Sequence, residues 1–361
     1  MTRAVQRDYS ILGPERDKAI VKGLVSAEWY QTPVRRDRLK ALMRRRNGRA
    51  ARDTLLWLSA LGATGWIAWL SWGTWWSVLA FALYGGVYTT SATSKWHEFC
   101  HGTPFRTAWL NEAIYQVCSC LILYQATGFR WSHVRHHSDT IIVGSDPEIN
   151  EPRPARWRRL LRQLLRDNVF PTFNGLLLHA LGRMKPAERE LIPASEHRKL
   201  FNEARAMLAV YAALIAICFA TSSVAPLLFV GLPAFYGAYL NALLIWTQHL
   251  GLYEDTLDHR LCTRTFYANP VLRFLYTNMN YHVEHHMYPM VPYYNLPALH
   301  EEIKHDCPAP APSFSAAVRE TVAALRRIRR DPDYIVPRVR AFAETAAGRK
   351  EETNDDIRTM G

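Results

Sequence analysis

Two long stretches of the chain contain no charged side chain, and they dominate its pattern of apolar and polar positions. One runs from Thr54 to Ser94 and the other from Ala206 to Gln248. A helix needs about 20 apolar residues to cross a bilayer, so each stretch is long enough to cross twice as a hairpin. We therefore predict four membrane-spanning helices with approximate bounds, which are 54–71, 75–93, 206–221 and 226–248.

The alternative for these stretches is four buried helices of a soluble protein. The mean hydropathy of -0.16 is ordinary for a soluble chain, so the distribution of apolar residues must decide. Helices of soluble proteins usually carry a charged face, which these stretches lack. The first hairpin also gathers tryptophans toward one end, as an interfacial aromatic belt would; they are Trp57, Trp66, Trp69, Trp72, Trp75 and Trp76. We therefore favour the membrane interpretation.

The distribution of positive charge predicts an orientation in the cell inner membrane. Nine Lys and Arg residues stand between positions 35 and 52, whereas neither hairpin turn, 71–74 or 222–226, contains any. By the positive-inside rule, both termini and the segment 95–205 lie in the cytoplasm. The formal net charge of +12 then faces anionic lipid headgroups, and because we find no nucleic-acid motif we expect no nucleic-acid partner.

These features predict three parts of the chain. Residues 1–53 form a basic cytoplasmic segment without an apolar signal-peptide region, and 54–299 form the main domain. Residues 300–361 form a cytoplasmic tail, in which Phe314 to Arg330 reads as an amphipathic helix and the polar end, from Lys350 to Gly361, as disordered. Between the hairpins, Ala113 to Thr127 is an interfacial or re-entrant segment, or else a buried cap helix.

Histidines form compact groups along the chain. The sequences HEFCH at 97–101, HVRHH at 133–137 and HVEHH at 282–286 place imidazoles three or four residues apart, which is one helical face. The predicted topology brings all three groups to the cytoplasmic side, where the fourth span ends at His249. The candidate metal ligands are His97, His101, His133, His136, His137, His249, His282, His285 and His286.

So many imidazoles at one place predict a metal site. Neutral histidines suit iron, zinc or copper, and eight or nine ligands exceed the needs of one ion, so we expect two metal ions. The five histidines that stand alone are interpreted as ordinary residues; they are His179, His197, His259, His300 and His305.

The three histidine motifs resemble the boxes of the membrane fatty acid desaturase and hydroxylase superfamily. The resemblance covers roughly Ser94 to Leu299, including the flanking residues Gly102 to Arg106. It implies an all-α integral membrane protein, with four transmembrane helices below a cytoplasmic helical cap that holds two irons. It also implies that the eight box histidines are the iron ligands, with His249 matching an additional histidine of the family.

Two departures bear on the substrate. Some acyl-CoA desaturases have an Asn one turn before the additional histidine, where this chain has Ile245. The stretch from His136 to Glu148 resembles a bacterial branch that includes rhizopine oxygenases and a rhizobitoxine-precursor desaturase, and that branch acts on substrates other than ordinary fatty acids. The expected activity is O2-dependent desaturation of a fatty acyl, lipid or related aliphatic substrate. Hydroxylation or oxidative demethylation of a small non-lipid substrate is the alternative.

Two other functions remain open from the sequence. His97, Glu98 and His101 also match the HExxH motif of zinc proteases, in which the Glu is the general base. That reading leaves the other two histidine groups without a role. A metal transporter or sensor is a further alternative, although transport sites lie near the bilayer midplane and these histidines lie outside the spans.

The expected chemistry also needs hydrogen-bonding carboxylates and a source of electrons. Acidic residues near the boxes are candidates to accept hydrogen bonds from ligand N–H groups; they are Glu98, Asp139, Asp146, Asp255 and Glu284. The six cysteines form no CxxC pair, so we expect an external donor, a ferredoxin or Rieske-type protein with its reductase. A basic patch is its candidate docking face, or else a lipid contact, and consists of Arg153, Arg156, Arg158, Arg159, Arg162 and Arg166.

Overall fold

Helices make up the regular secondary structure throughout the described part of the chain. The computed structural model describes residues 7–149, 151–165 and 169–338. Within those ranges there are also short 3-10 helices, at Ala194–Glu196, Tyr293–Asn295 and Lys304–Asp306, and isolated β-bridges. The α-helices, numbered in chain order, are α1 (Pro14–Val21), α2 (Arg36–Leu42), α3 (Asn47–Leu70), α4 (Trp76–Cys100), α5 (Ala108–Ile122), α6 (Ala126–Ser138), α7 (Trp157–Gln163), α8 (Val169–Ala180), α9 (Pro186–Leu191), α10 (His197–Ala220), α11 (Ala225–Phe229), α12 (Pro233–Tyr236), α13 (Ala238–His249), α14 (His259–Cys262), α15 (Pro270–Leu275), α16 (His282–Met287), α17 (Leu296–Ile303) and α18 (Phe314–Ile328).

The first predicted hairpin is present as two long helices that extend beyond the apolar stretch. Helix α3 begins at Asn47 rather than near Thr54, and α4 continues to Cys100 rather than ending near Thr93. Hydropathy marks the part of a helix that suits lipid, whereas backbone hydrogen bonding continues through the polar residues at its ends. As a result, α4 carries the first histidine box on the same helix as the apolar stretch.

The second predicted hairpin differs from the expected pair of continuous helices. Helix α10 is continuous, but residues 226–248 form three pieces, α11, α12 and α13. Gly231 has a φ of +91°, which favours glycine and ends the helical path. Pro226 and Pro233 each lie in the first turn of a new helix, where the missing N–H needs no partner. The prediction of one continuous fourth helix was therefore wrong.

One helical segment in the described part of the chain, Ala194–Ala220, is long and apolar enough to cross a membrane. Only 11% of its most apolar window is buried, so its apolar side chains face outward. A single such helix does not establish four spans, which stay a prediction. Outward-facing apolar residues also cover α3 and α4; they include Leu55, Leu56, Trp66, Trp69, Leu70, Val78 and Leu79.

The largest buried cluster lies where the inner end of α4 meets α5 and the segment from α16 to α17. Its members include Trp96, Tyr115, Tyr293 and Leu299, each less than a tenth exposed. Helix α5 contains most of the predicted segment 113–127 and buries Cys118 and Ile122 in this cluster. This core fixes the elements that carry the first and third histidine boxes relative to each other.

The N-terminal segment packs over the second and third boxes. The indole of Trp29 donates to the carbonyl of Ser138, 2.7 Å away, and Gln31 donates to the carbonyl of Met287. The predicted C-terminal helix corresponds to α18, which buries Ala317, Thr321, Ala324, Leu325 and Ile328 on one face. The predicted disordered end, from Lys350 to Gly361, and Arg166 of the predicted basic patch lie outside the described residues.

Candidate metal centre

Three helix ends and one short helix bring the nine predicted histidines to one place. His97 lies in the last turn of α4 and His101 at its C-cap, while the second box occupies the last turns of α6. His249 is the last residue of α13, and the third box forms the short helix α16. The nine histidines therefore lie on four separate helices that meet at one place.

The histidines form two adjacent groups. The ligand atoms of the first group lie within 4.8 Å of one another and belong to His97, His101, His133, His137 and His285. The second group, within the same limit, consists of His136, His249 and His286. The Nε2 atom of His282 lies 3.0 Å from that of His249 and 3.1 Å from that of His286, so His282 joins the second group.

The spacing of the ring nitrogens suits a shared metal ion. In the first group, Nε2 of His133 lies 3.1 Å from Nε2 of both His101 and His137, which is also 3.1 Å from Nε2 of His285. Metal–nitrogen bonds of about 2.1 Å at right angles separate neighbouring nitrogens by about 3.0 Å, whereas a tetrahedron separates them by about 3.4 Å. The observed distances are therefore those of ring nitrogens close enough to share one ion.

Hydrogen bonds on the opposite ring nitrogens fix the tautomers of the second group. Nδ1 of His249 lies 2.8 Å from the carbonyl of Cys262, which can only accept, so Nδ1 carries the proton. Nδ1 of His286 lies 3.2 Å from the hydroxyl of Thr140, which donates its own proton to the carbonyl of His136. Both Nε2 atoms therefore present lone pairs toward His282. A proton on Nε2 of His282 could be donated to only one of these two nitrogens, whereas a cation between the three rings accepts both lone pairs.

Carboxylates orient the second box. Nδ1 of His133 lies 3.2 Å from Glu148, and Nδ1 of His136 lies 2.9 Å from Asp146. Burial alone would lower the pKa of His136, but the charges of Asp146 and Glu148 raise it to about 9. This imidazole must therefore release a proton when it binds a metal ion. Burial also raises the pKa of Glu148, to about 7.

The remaining box histidines are neutral at physiological pH. Burial, together with neighbouring imidazoles, lowers the pKa of His137, His282 and His286 well below the usual range. Neutral rings keep the lone pair that a metal ion needs. Apart from His136, the box histidines therefore offer lone pairs with little competition from protons.

The five predicted carboxylates have different surroundings. Asp146 contacts a box histidine directly, and Glu98 lies 3.4 Å from Nδ1 of His285 while accepting from the backbone of Tyr293. The other three acids, Asp139, Asp255 and Glu284, have their closest contacts with groups other than the nine predicted histidines. Asp139 accepts from Ser26 and Ser145, Asp255 accepts from the backbone of Val143, and Glu284 contacts Thr265 and His300.

Several groups at the site were missed in the sequence. Glu148 follows Asp146 by two residues, so its closeness to the second box was a usable signal. Thr140 and the carbonyl of Cys262 carried no such signal, because their roles depend on tertiary contacts. His259, interpreted as ordinary, is buried, and its ring stacks on Trp29 with centroids 4.1 Å apart and lies 5.2 Å from that of His286.

A cavity of about 110 Å³ opens beside both histidine groups. Its floor includes His97 and His133 of the first group and His136, His249 and His282 of the second. A molecule in this cavity therefore lies against both candidate metal positions.

Comparison with known proteins gives one family. The model described as "Fatty acid desaturase" matches residues 73–317, which include all nine histidines. Among curated proteins, none matches the chain.

Proposed function

The chain belongs to the fatty acid desaturase family, and from that premise we propose that it is a membrane-bound oxidoreductase with a di-iron centre that oxidises an aliphatic C–H bond with O2. The observation that carries the proposal is the pair of adjacent histidine groups, in which Nε2 atoms of neighbouring rings lie 3.0 or 3.1 Å apart. Family membership supports an oxidoreductase of the desaturase or hydroxylase type. The identity of the metal, the number of ions and the use of O2 are our proposal.

The ligand set favours two irons over a single zinc. His97, His101, His133, His137 and His285 would hold one ion, and His136, His249, His282 and His286 the other. A zinc protease needs three protein ligands and an open position for water. The first group contains five histidines, which is more than such a site uses. The carboxylate of Glu98 also accepts from the backbone of Tyr293, which is a structural role.

A bound iron pair would supply O2 activation and hydrogen abstraction, with electrons drawn from an external donor. Desaturation joins O2, two electrons and two protons with the two hydrogens removed from the substrate, giving an alkene and two waters. This chain's own residues orient the ligands, as Asp146, Glu148 and Thr140 do, and hold the substrate against them. How the substrate is held decides between desaturation and hydroxyl transfer.

We further propose that α3, α4, α10 and the segment 225–249 cross the inner membrane, with the centre on the cytoplasmic side. Outward-facing apolar side chains on α3 and α4 support this arrangement, as does the length of Ala194–Ala220. The basic residues at positions 35–52 support the cytoplasmic orientation. A ferredoxin or Rieske-type protein with its reductase would then reach the centre from the same side.

Metal analysis of the purified protein tests the proposal. We expect two irons per chain and O2 consumption that depends on a reductase system and a cell extract, with products identified by mass spectrometry. His285→Ala should remove iron from the first group and abolish turnover. His305→Ala, at an exposed histidine, is the matched control and should change neither. Zinc in place of iron, or turnover without O2, would contradict the proposal.

A further inference from the structure

The segment from Cys262 to Phe266 joins the end of α13 to the third histidine box. All five of its residues are buried. At one end, the carbonyl of Cys262 accepts the Nδ1 proton of His249 at 2.8 Å. Toward the other end, the hydroxyl of Thr265 donates to Oε2 of Glu284, within the third box, at 2.6 Å. The segment therefore sets His249 and the third box at fixed positions relative to each other.

Arg264 lies in the middle of this segment and caps the end of α13. Its guanidinium donates to the carbonyl of Thr247 at 2.5 Å and to that of Leu250 at 3.3 Å. Carbonyls at the end of a helix lack a helical partner, and a cation there also interacts favourably with the helix dipole. The two carbonyls lie on either side of His249, the last residue of α13. The contacts therefore hold the backbone that carries this ring.

Glu320 of α18 is the countercharge of this guanidinium. Its Oε2 atom accepts from Nε of Arg264 at 2.9 Å and lies 3.6 Å from Nη2 of Arg338. The side chain of Arg264 is fully buried, whereas that of Glu320 is 35% exposed. A buried guanidinium needs a countercharge, because removing a charge from water is costly. A continuous series of contacts thus runs from α18 through Arg264 to the end of α13.

The second metal position depends on where His249 lies. Its Nε2 atom is 3.0 Å from that of His282, which is itself 3.1 Å from Nε2 of His286. In a working site, metal–nitrogen distances stay within about 0.2 Å of their normal value, and ligands are held to about 0.5 Å. A shift of α13 by that amount would weaken binding at the second position. The first group contains no residue of α13 and would be left in place.

Resting on the proposed function, we infer that Arg264 and Glu320 are positioning residues that hold His249 against the second metal position. Arg264 acts through the carbonyls of Thr247 and Leu250, and Glu320 acts through Arg264. Glu320 lies outside residues 73–317, which match the family, so family membership does not assign this role. The C-terminal helix α18 thereby contributes to the geometry of the metal centre.

Apolar packing between α18 and α13 is the alternative way to hold the end of α13. Ala317 and Leu244 share one buried cluster, and Leu325 and Trp246 belong to another. Weaker packing would lower the stability of the whole protein, whereas loss of the Arg264 contacts acts on the residues next to His249. The two explanations therefore predict different losses of metal.

Iron retention by the purified, full-length protein tests the inference. Glu320→Leu removes the countercharge, and Arg264→Leu removes the guanidinium. Each should lower iron affinity at the second position about tenfold or more, the usual effect of losing a group that orients a ligand. Over a series of chelator concentrations, iron per chain should fall from two to one earlier than in the unchanged protein, while the last iron leaves at an unchanged concentration. Because Glu320 is partly exposed, its variant should fold even if that of Arg264 does not.

Two backgrounds show which position is affected. His285→Ala removes a ligand of the first group and His286→Ala one of the second. With His285→Ala, the remaining iron occupies the second position, and adding Glu320→Leu should lower its affinity about tenfold or more. With His286→Ala, the remaining iron occupies the first position, and adding Glu320→Leu should leave its affinity unchanged.

Two variants of α18 are the controls. Arg319→Leu removes an exposed charge next to Glu320 and should change neither iron affinity. Ala324→Gly, at a buried position of the same helix, weakens the helix without removing the ion pair, since glycine has a low helix propensity. It should lower the unfolding temperature without a selective loss of the second iron.

The outcomes separate the inference from the proposed function. Equal loss of both irons in Glu320→Leu, or retention equal to that of the unchanged protein, would overturn the inference. A selective loss in Ala324→Gly as large as that in Glu320→Leu would also overturn it, because packing would then explain the effect. In each case, two irons and O2-dependent turnover in the unchanged protein leave the proposed function intact. Absence of iron from the unchanged protein would instead refute the proposed function.

Discussion

Each carboxylate oxygen of Asp146 accepts a hydrogen bond from a backbone N–H group, whose position is fixed by the loop. Oδ2 accepts from the backbone of Ile141 at 2.8 Å and faces Nδ1 of His136, while Oδ1 accepts from the backbone of Glu148 at 2.8 Å. An asparagine offers one acceptor and one donor, so its amide group would face at least one of these N–H groups. The residue therefore couples the loop conformation to the tautomer of His136.

We predict that Asp146→Asn lowers iron affinity by about 10–100-fold, the usual effect of losing a carboxylate behind a ligand histidine. The second metal position should be affected first, since His136 belongs to that group. Iron retained per chain against a series of chelator concentrations measures the effect. Retention equal to that of the unchanged protein would show that Asp146 does not support the ligand.

Asp139→Asn is the matched control for this prediction. Asp139 is as fully buried as Asp146 and is the C-cap of α6, the helix that carries His136, but it accepts from Ser26 and Ser145 rather than from a box histidine. We therefore expect lower thermal stability without a selective loss of iron. A loss of iron as large as that of Asp146→Asn would place both acids in the same role.

Residue spacing was informative where function depends on one helix and uninformative where it depends on contacts between elements. The offsets of three and four within each box predicted which imidazoles share a face, and the structure brings all nine histidines together. The same proximity argument could not distinguish Asp146 from Asp139, which are seven residues apart. Only the fold determines that the first acid faces His136 and the second faces Ser26.

Among the helices, α4 and the start of α13 cross at two glycines. A Cβ atom at Gly237 would lie 1.9 Å from the carbonyl oxygen of Gly85, and one at Gly85 would lie 2.3 Å from the ring of Tyr236. The two backbones therefore approach as closely as glycine allows. Because α13 ends at His249, this crossing sets the position of that histidine relative to the first box on α4.

We predict that Gly237→Ala destabilises the protein by about 1–3 kcal/mol, the typical cost of overpacking. The displacement of α13 should also reduce iron at the second position more than at the first. Gly62→Ala is the matched control, since a Cβ atom there meets nothing within 4 Å. Unfolding temperature and iron content together test this, and equal behaviour of the two variants would contradict it.

The break in the fourth predicted span illustrates what hydropathy omits. The absence of charge from Ala206 to Gln248 indicated apolar surroundings, but it carried no information about whether the backbone stays helical throughout. The residues that interrupt the helix, Pro226, Gly231 and Pro233, were visible in the sequence. Apolar windows average over such residues, so their conformational effect is lost unless it is considered separately.

Over the whole molecule, positive charge and apolar surface meet at α7. Leu160 of this helix is buried, whereas Leu161 and Leu165, which follows the helix by two residues, are 57% and 68% exposed. Arg158 is also exposed, and Arg159 pairs with Glu151 at 3.0 Å. This part of the chain therefore exposes an apolar surface that suits lipid and a basic surface that suits an acidic donor. Its sequence predicted the amphipathic pattern but not which partner uses it.

Reversing the charge of Arg156 and Arg158 together would distinguish these partners, and it leaves the pair between Arg159 and Glu151 intact. If an acidic ferredoxin docks here, donor-dependent turnover at low salt should fall about tenfold, and the difference should disappear at high salt because screening removes the steering. Iron content should be unchanged. The double variant Arg183→Glu, Lys185→Glu carries the same change in charge at other exposed positions and should keep its rate. If the α7 variant also keeps its rate but binds anionic vesicles more weakly, the basic surface contacts lipid and the donor docks elsewhere.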